Sequence, residues 1–147
     1  MGALDGKTFL VTGANTGIGR ATAHELAHRG GRVVLACRSE EKTRPVMEDI
    51  VSRTGNKDVD FLPLDLADLD SVRSAAREFL HRGERLDVLV NNAGLAGQRG
   101  QTKQGFELAF GTNHLGHFLL TDLLLDRLRQ SGRGRVVNVS SDSHYSP

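Results

Sequence analysis

Five short apolar runs recur along the chain: "KTFLVTG" over residues 7–13, "GRVVLACR" over 31–38, "VDFLPLDL" over 59–66, "LDVLVNNAG" over 86–94 and "GRVVNVSS" over 134–141. Each is too short for a helix and is bounded by turn-forming residues, the pattern of strands buried in a sheet. Between the runs the apolar period changes. Ile18, Ala21, Ala23, Leu26 and Ala27 recur at roughly helical spacing up to Arg29, and Gly30-Gly31 stops the turn. Helices are also predicted from about Glu40 to Arg53, Leu69 to Arg82 and Gly105 to Gln130, the last broken near Gly111.

Strands joined by crossover helices mean an open parallel sheet, buried on both faces, in one α/β domain spanning residues 1–147. Such sheets bind ligands beyond the carboxyl ends of their strands, where the strand order reverses. That rule directs attention to the loops after the first four runs.

The first loop, "TGANTGIG", places Gly13, Asn15, Thr16, Gly17, Ile18 and Gly19 between a strand and a helix. Glycines there permit a tight turn, close approach of a pyrophosphate and packing of helix on strand, and the helix N-terminus offers free amides to a phosphate. A plain glycine-rich turn is the alternative for the motif taken alone. The second loop, "ACRSEE", carries Arg38 where an acidic residue would bind a ribose 2′-hydroxyl. Arginine instead suits a 2′-phosphate, so NADP(H) is expected over NAD(H), unless Arg38 is only a solvated strand end. Cys37 beside it fits a small buried filler better than a reactive thiol.

Asp65, after the third strand, could accept from an adenine amino group or cap the helix beginning near Leu69. Asn91, Ala93 and Gly94, after the fourth, could abut the cofactor ribose, or Asn91 could hold a turn.

Composition narrows the field. With 19 Lys and Arg against 18 Asp and Glu, the net charge of +1 gives no electrostatic case for a nucleic-acid partner. One cysteine excludes an internal disulfide, and "MGALDGKTFLV" lacks the features of a signal peptide. A soluble, cytoplasmic protein is expected, with membrane association of a longer form left open. Asn138-Val139-Ser140 matches a glycosylation acceptor but falls in a strand expected to be buried. His114 and His117, with Asp122 nearby, lack a third ligand from any adjacent motif, so no metal site is expected.

Taken in order, "TGANTGIG", "NNAG", "NHLGHFLLT" and "RVVNVSS" resemble the short-chain dehydrogenase/reductases, in their retinol-dehydrogenase-like branch, from about Asp5 to His144. The resemblance implies a Rossmann-type doubly wound parallel sheet that binds a nicotinamide cofactor and transfers hydride between it and an alcohol or carbonyl carbon. Family members use Asn, Ser, Tyr and Lys; matched by motif, the first two are Asn113 and Ser141. Tyr serves as acid/base with its pKa lowered by a neighbouring ammonium, Ser holds the substrate oxygen, and Asn orders the water leading to Lys.

Tyr145 is the only tyrosine, and Lys7, Lys42, Lys57 and Lys103 all precede Ser141, so these residues contain no YxxxK. Tyr145 reads as a loop residue and His144 as part of a tail. His114 and His117 sit in a helix, where a structural role is expected. A C-terminally incomplete fold, inactive by itself, follows from the resemblance, with a lipophilic, retinol-like alcohol or carbonyl compound as substrate. The alternative is a non-catalytic short product that binds NADP(H) or pairs with a full-length relative. The resemblance also implies pairing through the helix around Leu115 to Arg127, whose leucine-rich "HFLLTDLLLDRL" should be sticky when uncovered. A Rossmann-like methyltransferase fits poorly, since Arg38 stands where that chemistry wants an acidic ribose ligand.

Overall fold

The computed structural model describes residues 2–145. It contains β1 (Thr8–Thr12), α1 (Gly17–His28), β2 (Arg32–Cys37), α2 (Glu40–Thr54), β3 (Val59–Pro63), α3 (Leu69–His81) and β4 (Val88–Asn91). A π-helical turn (Phe110–Leu115) then runs into α4 (Gly116–Gln130), followed by β5 (Arg135–Asn138) and a 3-10 turn (Asp142–Tyr145).

All neighbouring strands are parallel, in the order β3-β2-β1-β4-β5. The chain moves outward from β1 to β3, then crosses back to β4, so the order reverses between β1 and β4. This is a Rossmann-type doubly wound sheet with its switch point beside the glycine-rich loop.

Alternation along the strands feeds two cores. Leu10, Val34, Leu62 and Leu89 face one way and pack with Val72, Phe79, Leu120, Leu124 and Leu128 of α3 and α4. Val11, Val33, Leu35 and Val90 face the other way, against Ala23, Ala27, Val46 and Ile50 of α1 and α2. Burying both faces explains why the central strands read as unbroken apolar runs.

The last helix departs from expectation. Glu107 carboxylate oxygens accept from Ala109 N at 3.0 Å and Phe110 N at 2.6 Å, and residues 101–107 form a small turn closed by the Gln101–Glu107 bridge. The helix therefore starts after that turn rather than near Gly105. At Gly111 it widens into the π-turn instead of breaking. Thr102 lies so close that a Cβ on Gly111 would meet its Cγ2 at 2.2 Å.

Two burial expectations are also corrected. All of β5 is exposed, because it is an edge strand and no helix covers it among the described residues. Asn138 is consequently exposed, not buried. In α4, Leu120, Leu124 and Leu128 go into the core, so the open apolar surface of that helix is mainly Phe118 with part of Leu123. No helix among the described residues is long and apolar enough to cross a membrane.

Candidate functional site

The glycine-rich turn joins β1 to α1, and its glycines do different work. Gly13 has φ +61°, and a Cβ there would meet Ala93 Cα at 2.8 Å, so glycine lets the first turn seat against the turn after β4. Gly19 lies against Gly13 and Asn92, where a Cβ would come within 2.3 Å of the Gly13 carbonyl oxygen. Gly17 has φ +53° with nothing within 4 Å of its Cβ position, which leaves backbone open to a ligand.

Three helix N-termini can be compared. In α2, Ser39 Oγ accepts from Lys42 N, and Glu40 and Glu41 occupy the first turn. In α3, Asp68 accepts from Asp70 N. The first turn of α1 has no acidic residue, and its cap, Thr16, makes no side-chain hydrogen bond to it. Its amide donors and positive dipole end are therefore available to an anion.

Arg38 follows β2 at the same end of the sheet, exposed and without a hydrogen bond or ion pair among the described residues. Burial pushes the neighbouring Cys37 thiol pKa up, which favours the filler reading. Asp65 Oδ1 accepts from Ala67 N at 2.9 Å, while Ser71 Oγ accepts from Asp65 N. Asp65 thus shapes the turn; the helix-capping alternative is corrected to Asp68, three residues on.

Asn91, Ala93, Gly94, Asn113 and Ser141 line one cleft of about 840 Å³ between the end of β4, α4 and β5. The Gly13–Gly19 turn, Arg38 and Asp65 do not line it, but Gly13 touches its wall through Ala93. Asn91 does not hold a turn: it is a buried strand residue whose Nδ2 donates to Thr121 Oγ1 at 3.0 Å and Asn138 Oδ1 at 2.9 Å. Its Oδ1 has no partner among the described residues.

Asn113 sits in the π-turn, where its side chain grips the Leu95 backbone, accepting from Leu95 N and donating to Leu95 O, both at 2.9 Å. Ser141 follows β5, and its Oγ accepts from Ser143 N at 3.1 Å at the start of the 3-10 turn. Tyr145 ends that turn, in place of the loop expected.

Sequence reasoning missed Thr12. Its Oγ1 accepts from Asn92 N and Ala93 N at 3.0 and 2.9 Å and lies 2.8 Å from His117 Nε2. The available signal was a lone hydroxyl at the end of an apolar strand. His117 is likewise a polar residue on the otherwise apolar stripe of Leu120, Leu124 and Leu128. Among the described residues no group of three or more His, Cys, Asp or Glu side chains could hold a metal ion.

Comparison with known proteins finds relatives over nearly the whole chain. Human retinol dehydrogenase 13 is 51% identical over 144 residues, covering 97% of this chain and 44% of the relative. Human retinol dehydrogenase 11 is 52% identical over 143 residues, covering 97% and 45%. The chain thus spans less than half the length of these curated relatives. Among solved structures, a metagenomic short-chain oxidoreductase in complex with NADP superposes with a TM-score of 0.84 at 33% identity, over 98% of this chain and 66% of that one. The sequence profile described as short chain dehydrogenase matches residues 7–146, and the chain belongs to that family.

Proposed function

We propose that residues 1–147 form the NADP(H)-binding Rossmann domain of a dehydrogenase/reductase that acts on a lipophilic alcohol or carbonyl compound. The observation that carries this reading is the contrast among helix N-termini: only α1, among α1 to α3, lacks both a capping side-chain bond and a first-turn acid, and it follows Gly13 and Gly17. Those amides would hold the pyrophosphate. Arg38 would pair with the 2′-phosphate, its guanidinium free to turn toward it. Asp65 would border the adenine, and Asn91, Ala93 and Gly94 the ribose.

The nicotinamide, when bound, supplies the hydride acceptor or donor. Ser141 would hold the substrate oxygen and Asn113 would anchor the proton path, its amide fixed by Leu95. The retinol dehydrogenases among the relatives favour a retinoid-like substrate, and the 840 Å³ cleft, walled partly by Phe118, Leu125 and Val136, has apolar surface for one. These residues hold no YxxxK, so the 147-residue polypeptide is expected to bind cofactor without reducing retinal.

Calorimetric titration with NADPH and NADH tests the reading. NADPH should bind at least about tenfold more tightly, and Arg38→Asp should abolish the preference while leaving NADH binding nearly unchanged. Equal affinities in the wild type, or equal losses in the variant, would reject the role of Arg38.

A further inference from the structure

The imidazole of His117 closes a ring of hydrogen bonds that joins the two halves of the site. Asn113 O lies 2.9 Å from His117 Nδ1, and Thr12 Oγ1 lies 2.8 Å from Nε2. Thr12 Oγ1 accepts from Asn92 N and Ala93 N, the start of the loop whose Leu95 is gripped by the Asn113 side chain. The ring therefore runs from the end of β1 through the loop after β4 to the π-turn, and returns through α4.

Counting protons fixes its direction. A threonine hydroxyl has one hydrogen and two lone pairs, and both lone pairs of Thr12 are taken by backbone amides. Its hydrogen must go to His117 Nε2, since the other acceptor in reach, Val90 O, is 3.5 Å away. Nε2 then carries no proton. The single ring proton sits on Nδ1 and is donated to Asn113 O. Only the neutral Nδ1–H tautomer satisfies every group, and Thr12 at 0% and His117 at 6% exposure leave water little access to substitute.

We infer that His117 is a positioning residue: as the Nδ1–H imidazole it ties the carbonyl of Asn113 to the hydroxyl of Thr12, and so sets the reaction-side π-turn in register with the cofactor-side glycine turn. This rests on the proposed role of Asn113. Widening of the helix at the π-turn changes where backbone carbonyls point, and a side chain one turn later that fixes one of them removes that freedom.

The test uses the natural protein that carries this sequence, labelled with nitrogen-15 at histidine. At near-neutral pH a two-bond proton–nitrogen correlation spectrum should show His117 with a protonated Nδ1 and an unprotonated Nε2. An Nε2–H or doubly protonated ring would overturn the inference. Thr12→Ser should keep the tautomer and Thr12→Val should release it; an unchanged spectrum in Thr12→Val would also overturn it.

With retinal and NADPH, His117→Phe should lower kcat by about tenfold or more with KM for NADPH within about twofold, since displaced catalytic groups cost rate more than binding. His117→Asn, which restores a donor toward Asn113, should recover part of the loss. Wild-type kcat in a folded His117→Phe protein would contradict the role; if that variant does not fold, the wild-type spectrum decides. Loss of the functional reading would appear separately, as a wild type that neither binds NADPH nor reduces retinal while still showing the Nδ1–H ring.

Discussion

At the centre of the sheet Leu10, Val11, Val33 and Leu35 are wholly enclosed, whereas Val136, Val137 and Val139 on and after β5 remain 37%, 45% and 44% exposed. Both regions are parallel strands with β-branched residues. The difference lies in what surrounds them: β1 has a strand on either side and helices on both faces, while β5 has β4 alone among the described residues. The glycine turn is consequently anchored at its two ends, Gly13 against Ala93 and Gly19 against Asn92, while Gly17 between them stays open. Ser141 is carried on a strand held mainly by its ladder to β4 and by the Asn91–Asn138 bond. The proposed cofactor end is preorganised by its own core, and the proposed reaction end presents open apolar surface beside its polar groups.

Leu10→Ala breaks the closed side most severely. Its side chain is fully buried, and such truncations cost about 2–5 kcal/mol through lost burial and a residual cavity. Chemical denaturation should show a correspondingly lower midpoint at unchanged slope. Gly19→Val should follow, at about 1–3 kcal/mol for overpacking, because the new Cβ meets the Gly13 carbonyl and Asn92. NADPH binding should fall with it, since the same atoms shape the turn.

A third test concerns pH. Burial holds the His117 pKa below the ordinary histidine value, against the opposing hydrogen bond to Asn113. The unfolded chain therefore takes up a proton before the folded one does. The stability contributed by neutral His117 is complete above the unfolded pKa of about 6.5 and is lost as pH falls below it toward the folded value, by up to about 1.4 kcal/mol per pH unit. His114 and Asp122 also line the cleft, so the profile of His117→Gln, subtracted from the wild type, isolates this contribution. Identical profiles would contradict it.

The open side should barely respond. Val137→Ala is expected to change stability by less than about 0.5 kcal/mol, as at other exposed sites. A cost near that of Leu10→Ala would mean that β5 is covered in solution.

The apolar runs and the helical spacing between them made the alternation of strands and helices in a parallel sheet legible in the sequence, because burial of the central strands on both faces forces continuous hydrophobicity. Gly13, Gly17 and Gly19 were legible for a similar reason: the first two take a positive φ that favours glycine, and a Cβ on Gly13 or Gly19 would collide with its neighbours. The π-turn was not, since it depends on Thr102 approaching Gly111 and on Glu107 capping the helix. Asp65 and Asp68 are indistinguishable by type, and only the turn geometry assigns the cap to the second. The exposure of β5 is set by what packs on it, which its own residues do not encode. His117 looked structural; its partners, Thr12 and Asn113, lie on separate elements.

Hydrogen exchange with and without NADPH tests the contrast most directly. NADPH should slow exchange at residues 14–20 and 38–39, while residues 135–138 should exchange readily in the absence of cofactor compared with residues 9–11. Protection at the N-termini of α2 and α3 with none at 14–20, or a β5 as protected as β1, would contradict it.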